Sequence, residues 1–215
     1  KDAKVFVKSF ARRNLSYVVY DLEDKHKKLV DIIKNVKGCG LVYVRNRRET
    51  AEIAHFLQRN GIVADFYHAG IEKELRFKKQ EDWKKDVIRV MVATNAFGMG
   101  IDKPDVRFVI HMDLPESLEA YYQEAGRAGR DENRAFAVLL ANKSDQLILN
   151  AKYADSFPSV DEIKKVYHYL GSYFQLGYGA GEGLSLAFDL ADFCKRFNIG
   201  VIKTLGALKF LERDG

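Results

Sequence analysis

The sequence predicts an α/β chain: a parallel sheet with helices on both faces, followed by a smaller, mainly helical region. Three observations predict it. Strand-like and helix-like stretches alternate up to about residue 145, the pattern of a parallel sheet built with right-handed crossovers. The strand-like stretches are continuously apolar, as in a sheet covered on both faces. After Lys143 the alternation stops and only helical patterns follow. The expected division is therefore 1–145 and 146–215.

The elements follow in order. Residues 15–20 read as a strand, being β-branched and aromatic. Residues 25–37 read as a helix, with Leu29, Ile32, Ile33 and Val36 on one face. Gly38 and Gly40 then break the pattern before a short buried strand at 41–44. Residues 48–60 are amphipathic at mostly helical spacing, and Gly61 after Asn60 is a helix stop. A strand at 62–67, a helix at 71–84 and strands at 88–93 and 107–111 come next. Residues 117–125 are helical and 135–140 form the last strand.

Beyond the sheet, 142–154 reads as a helix. A further helix begins near Pro158, with Ser159 and Glu162 spaced as a capping box. A glycine-rich turn at 177–183 separates it from two short helices at 187–197 and 201–213. That outline suits a helix-turn-helix or winged-helix unit, and equally a plain helical bundle, since 201–211 shows no obvious basic face.

The chain has 215 residues, 47% of them hydrophobic, enough for a sizeable core. No apolar run approaches the roughly 18 residues of a membrane span, so no membrane partner is expected. The start, Lys1-Asp2-Ala3-Lys4, has neither the apolar segment nor the cleavage site of a signal peptide, and its abrupt opening suggests a fragment. Two cysteines, Cys39 and Cys194, cannot make a four-cysteine zinc site and are expected to be small buried residues. The net charge of +5 permits nucleic-acid binding without demonstrating it.

Two stretches carry chemistry. Tyr-Tyr-Gln-Glu-Ala-Gly-Arg-Ala-Gly-Arg-Asp, residues 121–131, sets Arg127 and Arg130 three apart, each preceded by a glycine. A guanidinium is always charged and offers a planar fork of donors that matches phosphate oxygens. Glycine lets the backbone turn sharply and approach closely. The unit suits an arginine finger, which stabilises charge on a departing γ-phosphate. The competing reading is a basic helix end with solvated arginines. Upstream, Ala-Thr-Asn-Ala-Phe-Gly-Met-Gly-Ile-Asp-Lys-Pro, residues 93–104, follows a buried strand. Ligands of open α/β sheets bind beyond the carboxyl ends of the strands, so this loop is expected to address phosphate, and the two phosphate-directed loops lie about one strand and one helix apart.

Together these stretches resemble motifs V and VI of superfamily 2 helicases, in the wording of the RecQ branch. Val42-Tyr43-Val44-Arg45-Asn46 resembles the motif IV region, and Phe66-Tyr67-His68-Ala69-Gly70 a further RecQ element. The resemblance covers roughly residues 9–145. It implies the second of two RecA-like domains of an ATP-dependent DNA helicase that moves 3′ to 5′. It implies that Arg130 is the finger, that Arg127 contacts phosphate or organises the interface, and that Gln123 links the nucleotide site to the interdomain contacts. Gly98 and Gly100 would shape the motif V loop, with Asp102 near the ATP ribose. Arg45, Asn46, Thr94 and His68 would lie along the DNA path.

Several of these residues have competing structural readings. Asn46 and Glu49 are spaced as a helix cap and its partner. Thr94 ends a strand and can satisfy its own loop, Asp102 can serve a turn, and His68 can be structural. Tyr121 and Tyr122 are placed to stack on bases or to pack the helix against the core.

The sequence contains no Gly-x-x-x-x-Gly-Lys-Ser/Thr loop and no acidic Mg²⁺-binding box. By resemblance, ATP and Mg²⁺ would be held mainly by the first RecA-like domain, a partner in the same polypeptide, and this chain alone would be inactive. It also departs from relatives that carry a zinc module, so no zinc is expected. The implied partners are single-stranded and duplex DNA, and the implied location is the bacterial nucleoid in the cytoplasm, or the nucleus. Two other classes remain open: a non-catalytic nucleic-acid-binding module and an RNA helicase domain.

Overall fold

A computed structural model describes residues 11–97, 102–177 and 179–214. It resolves into two units, Lys1–Asp145 and Gln146–Gly215. The first carries six strands, β1 (Leu15–Asp21), β2 (Cys39–Tyr43), β3 (Ala64–Tyr67), β4 (Val90–Ala93), β5 (Val106–His111) and β6 (Ala135–Ala141). All pair in parallel in the order β1-β6-β5-β2-β4-β3. Between them run α1 (Lys25–Asn35), α2 (Arg47–Arg59), α3 (Lys73–Lys84) and α4 (Leu118–Ala125).

Alternate strand residues feed two apolar layers, as the pleat requires. On one face Leu41, Met91 and Val109 pack with Trp83 of α3 and Ala125 of α4. On the other, Val42, Val92 and Ile110 pack with Leu29 and Ile33 of α1 and with Ile53 and Leu57 of α2. Continuous apolar strands are the sequence signature of this double coverage.

Gly40 departs from its expected role. It does not break the chain but lies within β2, opposite Phe108 of β5. A Cβ there would sit 2.1 Å from the Phe108 ring, so glycine is what lets that ring cross the strand. Gly38, at φ +96°, makes the break alone.

A buried ion pair fastens the start of α1 to the chain beyond β6. Lys25 Nζ reaches Asp145 Oδ2 at 2.5 Å and donates to the Met112 carbonyl at 2.6 Å. On the first face, Lys103 Nζ stands between Asp86 and Asp105 at 3.0 and 3.1 Å. Cys39 also belongs to this cluster, which groups the ligand types of a metal site. The Lys103 ammonium supplies the positive charge there, and burial pushes the Cys39 thiol up to about 11. Both cysteines are buried.

The second unit is helical. α5 (Lys143–Ser156) runs into it, followed by α6 (Val160–Phe174), α7 (Leu190–Arg196) and α8 (Val201–Asp214). The capping box at α6 forms: Glu162 N donates to Ser159 Oγ and Ser159 N to Glu162 Oε2. α7 begins later than residue 187 because Asp189 is its cap, accepting from the amides of Ala191 and Asp192 at 2.8 and 3.0 Å. Ile163, Val166, Phe193, Cys194 and Ala207 form this unit's core, and Tyr169 stacks on Phe197 at 4.5 Å. Among the described residues no helix is long and apolar enough to cross a membrane.

Candidate functional site

The arginine-bearing turn follows α4. Ser117 caps that helix, accepting from the Ala120 amide at 3.1 Å. His111 and Glu124 tie it to β5, with His111 Nε2 2.8 Å from Glu124 Oε2 and the imidazole 2% exposed. Gly126 ends the helix in the αR region. Gly129 takes φ +62°, which an L side chain rarely adopts. A Cβ on Gly129 would stand 2.7 to 2.8 Å from Asn14 Nδ2, Ala135 Cβ and the Asn133 carbonyl. The sharp turn is therefore a property of Gly129, whereas both glycines permit close approach, since a Cβ on Gly126 would stand 2.8 Å from the Tyr122 carbonyl oxygen.

This turn brings the nucleotide candidates together. Arg130 Nη1 lies 2.6 Å from Asp102 Oδ1, joining residues 28 apart in sequence. The two side chains are 39% and 81% exposed, so the pair is weakly held and open to exchange with another anion. Arg127 lies deeper, against the Tyr43 phenol, whose hydroxyl donates to the Phe97 carbonyl at 3.0 Å. Burial raises the Tyr43 pKa and Arg127 opposes the shift. Tyr43 thus touches both loops, at Phe97 and at Arg127. Trp83, Phe97, Lys103, Arg127 and Arg130 wall one narrow cleft. Gln123 is exposed on α4. Gly98 and Gly100 lie outside the described residues.

The turn does not lie beyond the carboxyl ends of the strands. The Gly129 amide donates to the Val106 carbonyl at 2.8 Å and the Asp131 amide to Pro104 at 3.1 Å, both at the amino end of β5. α4 packs antiparallel to that strand, and its C-terminal turn is carried back to where β5 begins. The carboxyl rim holds the other group of candidates: Arg45 beyond β2, His68 beyond β3 and Thr94 beyond β4. Arg130 and Asp102 therefore lie away from the nucleic-acid candidates, while Arg127 reaches Tyr43, which also lines a pocket on the rim.

At the rim, Arg45 Nη2 donates to the Leu114 carbonyl at 2.9 Å, and its backbone amide donates to Asp113 Oδ2 at 2.8 Å. Tyr43, Arg45, Asn95, His111, Asp113 and Glu124 line a pocket there. Asn46 is the cap of α2: its Oδ1 accepts from the Glu49 amide at 2.9 Å, and its side chain also bonds the Glu49 carboxylate. Thr94 is buried and its amide donates to the Tyr67 carbonyl at 3.3 Å, so only its hydroxyl remains to meet a phosphate. His68 Nδ1 accepts from the Gly70 amide at 3.1 Å, which shapes the turn after β3. Burial, then Arg47 and Lys79, lowers its pKa, which favours the neutral ring this bond needs. Tyr121 packs on the core, 5.0 Å from the His111 ring, and Tyr122 is exposed.

Three contributors carried no sign of their role in the sequence. Tyr43 looked like one more apolar strand residue. Arg12 and Asn14 looked like ordinary polar residues before β1, yet both reach the arginine turn, 114 to 117 residues away.

Residues 24–132 match the helicase conserved C-terminal domain family. Among the similar curated proteins, the ATP-dependent DNA helicase RecQ of Haemophilus influenzae is 44% identical over 149 residues, covering 67% of this chain and 24% of that protein. The RecQ-like DNA helicase blm-1 of Caenorhabditis elegans is 42% identical over 155 residues, 69% of this chain and 15% of that protein. The chain thus spans less than a quarter of the length of either relative. Among solved structures, the Escherichia coli DEAD-box protein SrmB superposes with a TM-score of 0.57 at 29% identity, covering 66% of this chain and 84% of that one. The RNA helicase Prp28 of Chaetomium thermophilum has a TM-score of 0.57 at 23% identity, covering 66% of this chain and 36% of that one, a likeness of fold alone.

Proposed function

The chain belongs to the helicase conserved C-terminal domain family, in its RecQ branch, and from that premise we propose that it is the second RecA-like motor domain of an ATP-dependent 3′–5′ DNA helicase. The observation that carries the reading is the meeting of Arg130, Arg127 and Asp102 on one side of the sheet. Binding alone needs no such arrangement, whereas phosphoryl transfer consists mainly of positioning and charge stabilisation.

The donor set fits one side of a nucleotide. Arg130 offers an accessible fork whose present partner is an exposed carboxylate, and a phosphate carrying more charge competes well for it. Asp102, once released, can accept from a ribose hydroxyl. Arg127 is held against Tyr43 and is placed to keep the turn and the motif V loop in register. ATP with its Mg²⁺ would supply the phosphoryl group, bound chiefly by the first RecA-like domain of the same polypeptide. Gln123, exposed on α4, would face that domain. Arg45 and Thr94, with lesser parts for Asn46 and His68, would line the single-strand path on the carboxyl rim, acting where the genome is, in nucleoid or nucleus. Region 146–215 would form the helical appendage.

The reading is tested by phosphate release. The isolated chain is expected to show no turnover with or without single-stranded DNA, because it brings a finger but no phosphate cradle. The intact helicase should turn over ATP faster with single-stranded DNA than with RNA. Robust hydrolysis by the isolated chain would overturn the assignment.

A second expectation concerns the rim. Arg45→Ala in the intact helicase should weaken single-strand binding and reduce the salt slope by about one phosphate contact. Affinity for ATP should stay the same, since Arg45 is held at the rim by Asp113 and Leu114 while the Arg130–Asp102 pair lies at the amino end of β5. An unchanged slope in a salt titration would remove Arg45 from the DNA path.

A further inference from the structure

We propose that Arg12, assisted by Asn14, is a positioning residue for the arginine finger: it grips the backbone of the turn that carries Arg127 and Arg130 and fixes where their guanidinium groups point. The inference rests on the reading of Arg130 as the finger.

The grip is built from the carbonyl side. Arg12 Nη1 donates to Gly126 O at 2.6 Å, and Nη2 donates to Ala128 O at 2.7 Å and also to Gly129 O. Asn14 Nδ2 donates to Gly129 O at 2.7 Å and to Asn133 O at 2.9 Å. The Asn14 carbonyl in turn accepts from the Ala135 amide at 2.9 Å, which starts the pairing of β1 with β6. Arg12 and Asn14 therefore belong to the sheet's edge while their side chains hold the turn.

Two physical demands meet at this point. The carbonyls of Gly126, the cap of α4, and of Ala128 beyond it need donors, and a cation near a helix C-terminus is favoured by the dipole. A turn with a left-handed residue at Gly129 directs successive carbonyls to one side, where a planar fork can collect several of them. With the carbonyls collected there, Arg127 lies against Tyr43 and Arg130 against Asp102. Without Arg12 the backbone of the turn keeps the Gly129 and Asp131 amide bonds to β5, but the carbonyls of Gly126 and Ala128 lose the donor described here. A lysine offers a point charge and cannot span the same acceptors.

A purely structural cap would affect stability alone, so the test is a kinetic cycle in the intact helicase. The variants are Arg12→Met, Arg12→Lys, Arg130→Ala and the Arg12→Met/Arg130→Ala double variant. Each is measured for kcat in saturating single-stranded DNA, KM for ATP, single-strand affinity and melting temperature. Displacing a catalytic group by about 1 Å can cost on the order of 100-fold, so Arg12→Met should lower kcat roughly 10- to 100-fold. KM for ATP and single-strand affinity should stay within about twofold, because a finger acts in the transition state. Arg12→Lys should restore little.

In the Arg130→Ala background, adding Arg12→Met should cost less than about twofold, since the group it positions is gone. A parental kcat in Arg12→Met would overturn the proposal, as would a loss repeated in full in the Arg130→Ala background. Should Arg12→Met fail to fold, Arg12→Lys and Asn14→Ser enter the same cycle with the same criteria. A parental rate in Arg130→Ala would overturn the finger reading itself and this inference with it. A slow Arg130→Ala beside a parental Arg12→Met would overturn this inference alone.

Discussion

Replacing Arg130 by alanine in the intact helicase is expected to lower DNA-stimulated ATP turnover by about 10³- to 10⁵-fold, the range over which an arginine finger acts in nucleotide hydrolases. Folding should scarcely change. The side chain is 39% exposed and its ion pair with Asp102 lies at the surface, where such pairs contribute about 0–1 kcal/mol. Single-strand affinity should also hold, because the turn lies at the amino end of β5 and the nucleic-acid candidates lie on the opposite rim. Arg130→Lys should rescue little, since an ammonium lacks the planar fork. Steady-state phosphate release in saturating single-stranded DNA, read beside a melting curve, measures both effects. A variant that hydrolyses ATP at the parental rate would show that Arg130 is a surface arginine paired with Asp102 and nothing more.

The second large effect is on stability. Trp83→Ala should destabilise the chain by about 3–5 kcal/mol, the usual range for emptying a buried aromatic site. Trp83 is 1% exposed, sits edge-on to Phe97 with centroids 5.3 Å apart, and donates from Nε1 to the Gly40 carbonyl at 3.3 Å. The loss would be a large share of a typical domain's 5–15 kcal/mol. It should also loosen Phe97, whose carbonyl receives the Tyr43 hydroxyl beside Arg127. Urea unfolding of the isolated chain gives the free-energy difference. A change below about 1 kcal/mol would show that the ring is not a keystone of this face. Trp83→Phe should fall between the two, retaining the apolar contact without the indole donor.

The element pattern was legible because it is set by local chemistry. Apolar strands separated by amphipathic helices have one economical solution, a parallel sheet covered on both sides, and six strands form from the six expected stretches. Caps were legible for the same reason: Ser159 with Glu162, and Asn46 with Glu49, are read at fixed spacing within a few residues. Boundaries moved where a side chain settled them. Asp189 delays α7, and Gly40 stays inside β2 because the Phe108 ring, from a strand much later in the chain, needs its missing Cβ.

The sequence by itself determined the fold class, the order of elements and the family, because periodicity, glycine placement and short motifs are properties of neighbouring residues. Only the tertiary structure decided where the candidate residues lie and what supports them. Strand order and the antiparallel run of α4 against β5 carry Arg130 to the amino end of that strand, beside Asp102, and leave Arg45, His68 and Thr94 on the other rim. The grip of Arg12 and Asn14 on the turn joins residues more than 110 positions apart, and the bridge made by Tyr43 depends on which strands are neighbours. Such contacts arise from long-range packing, in which a carbonyl left over at a helix end must find a donor wherever the fold brings one, and no local spacing encodes that choice.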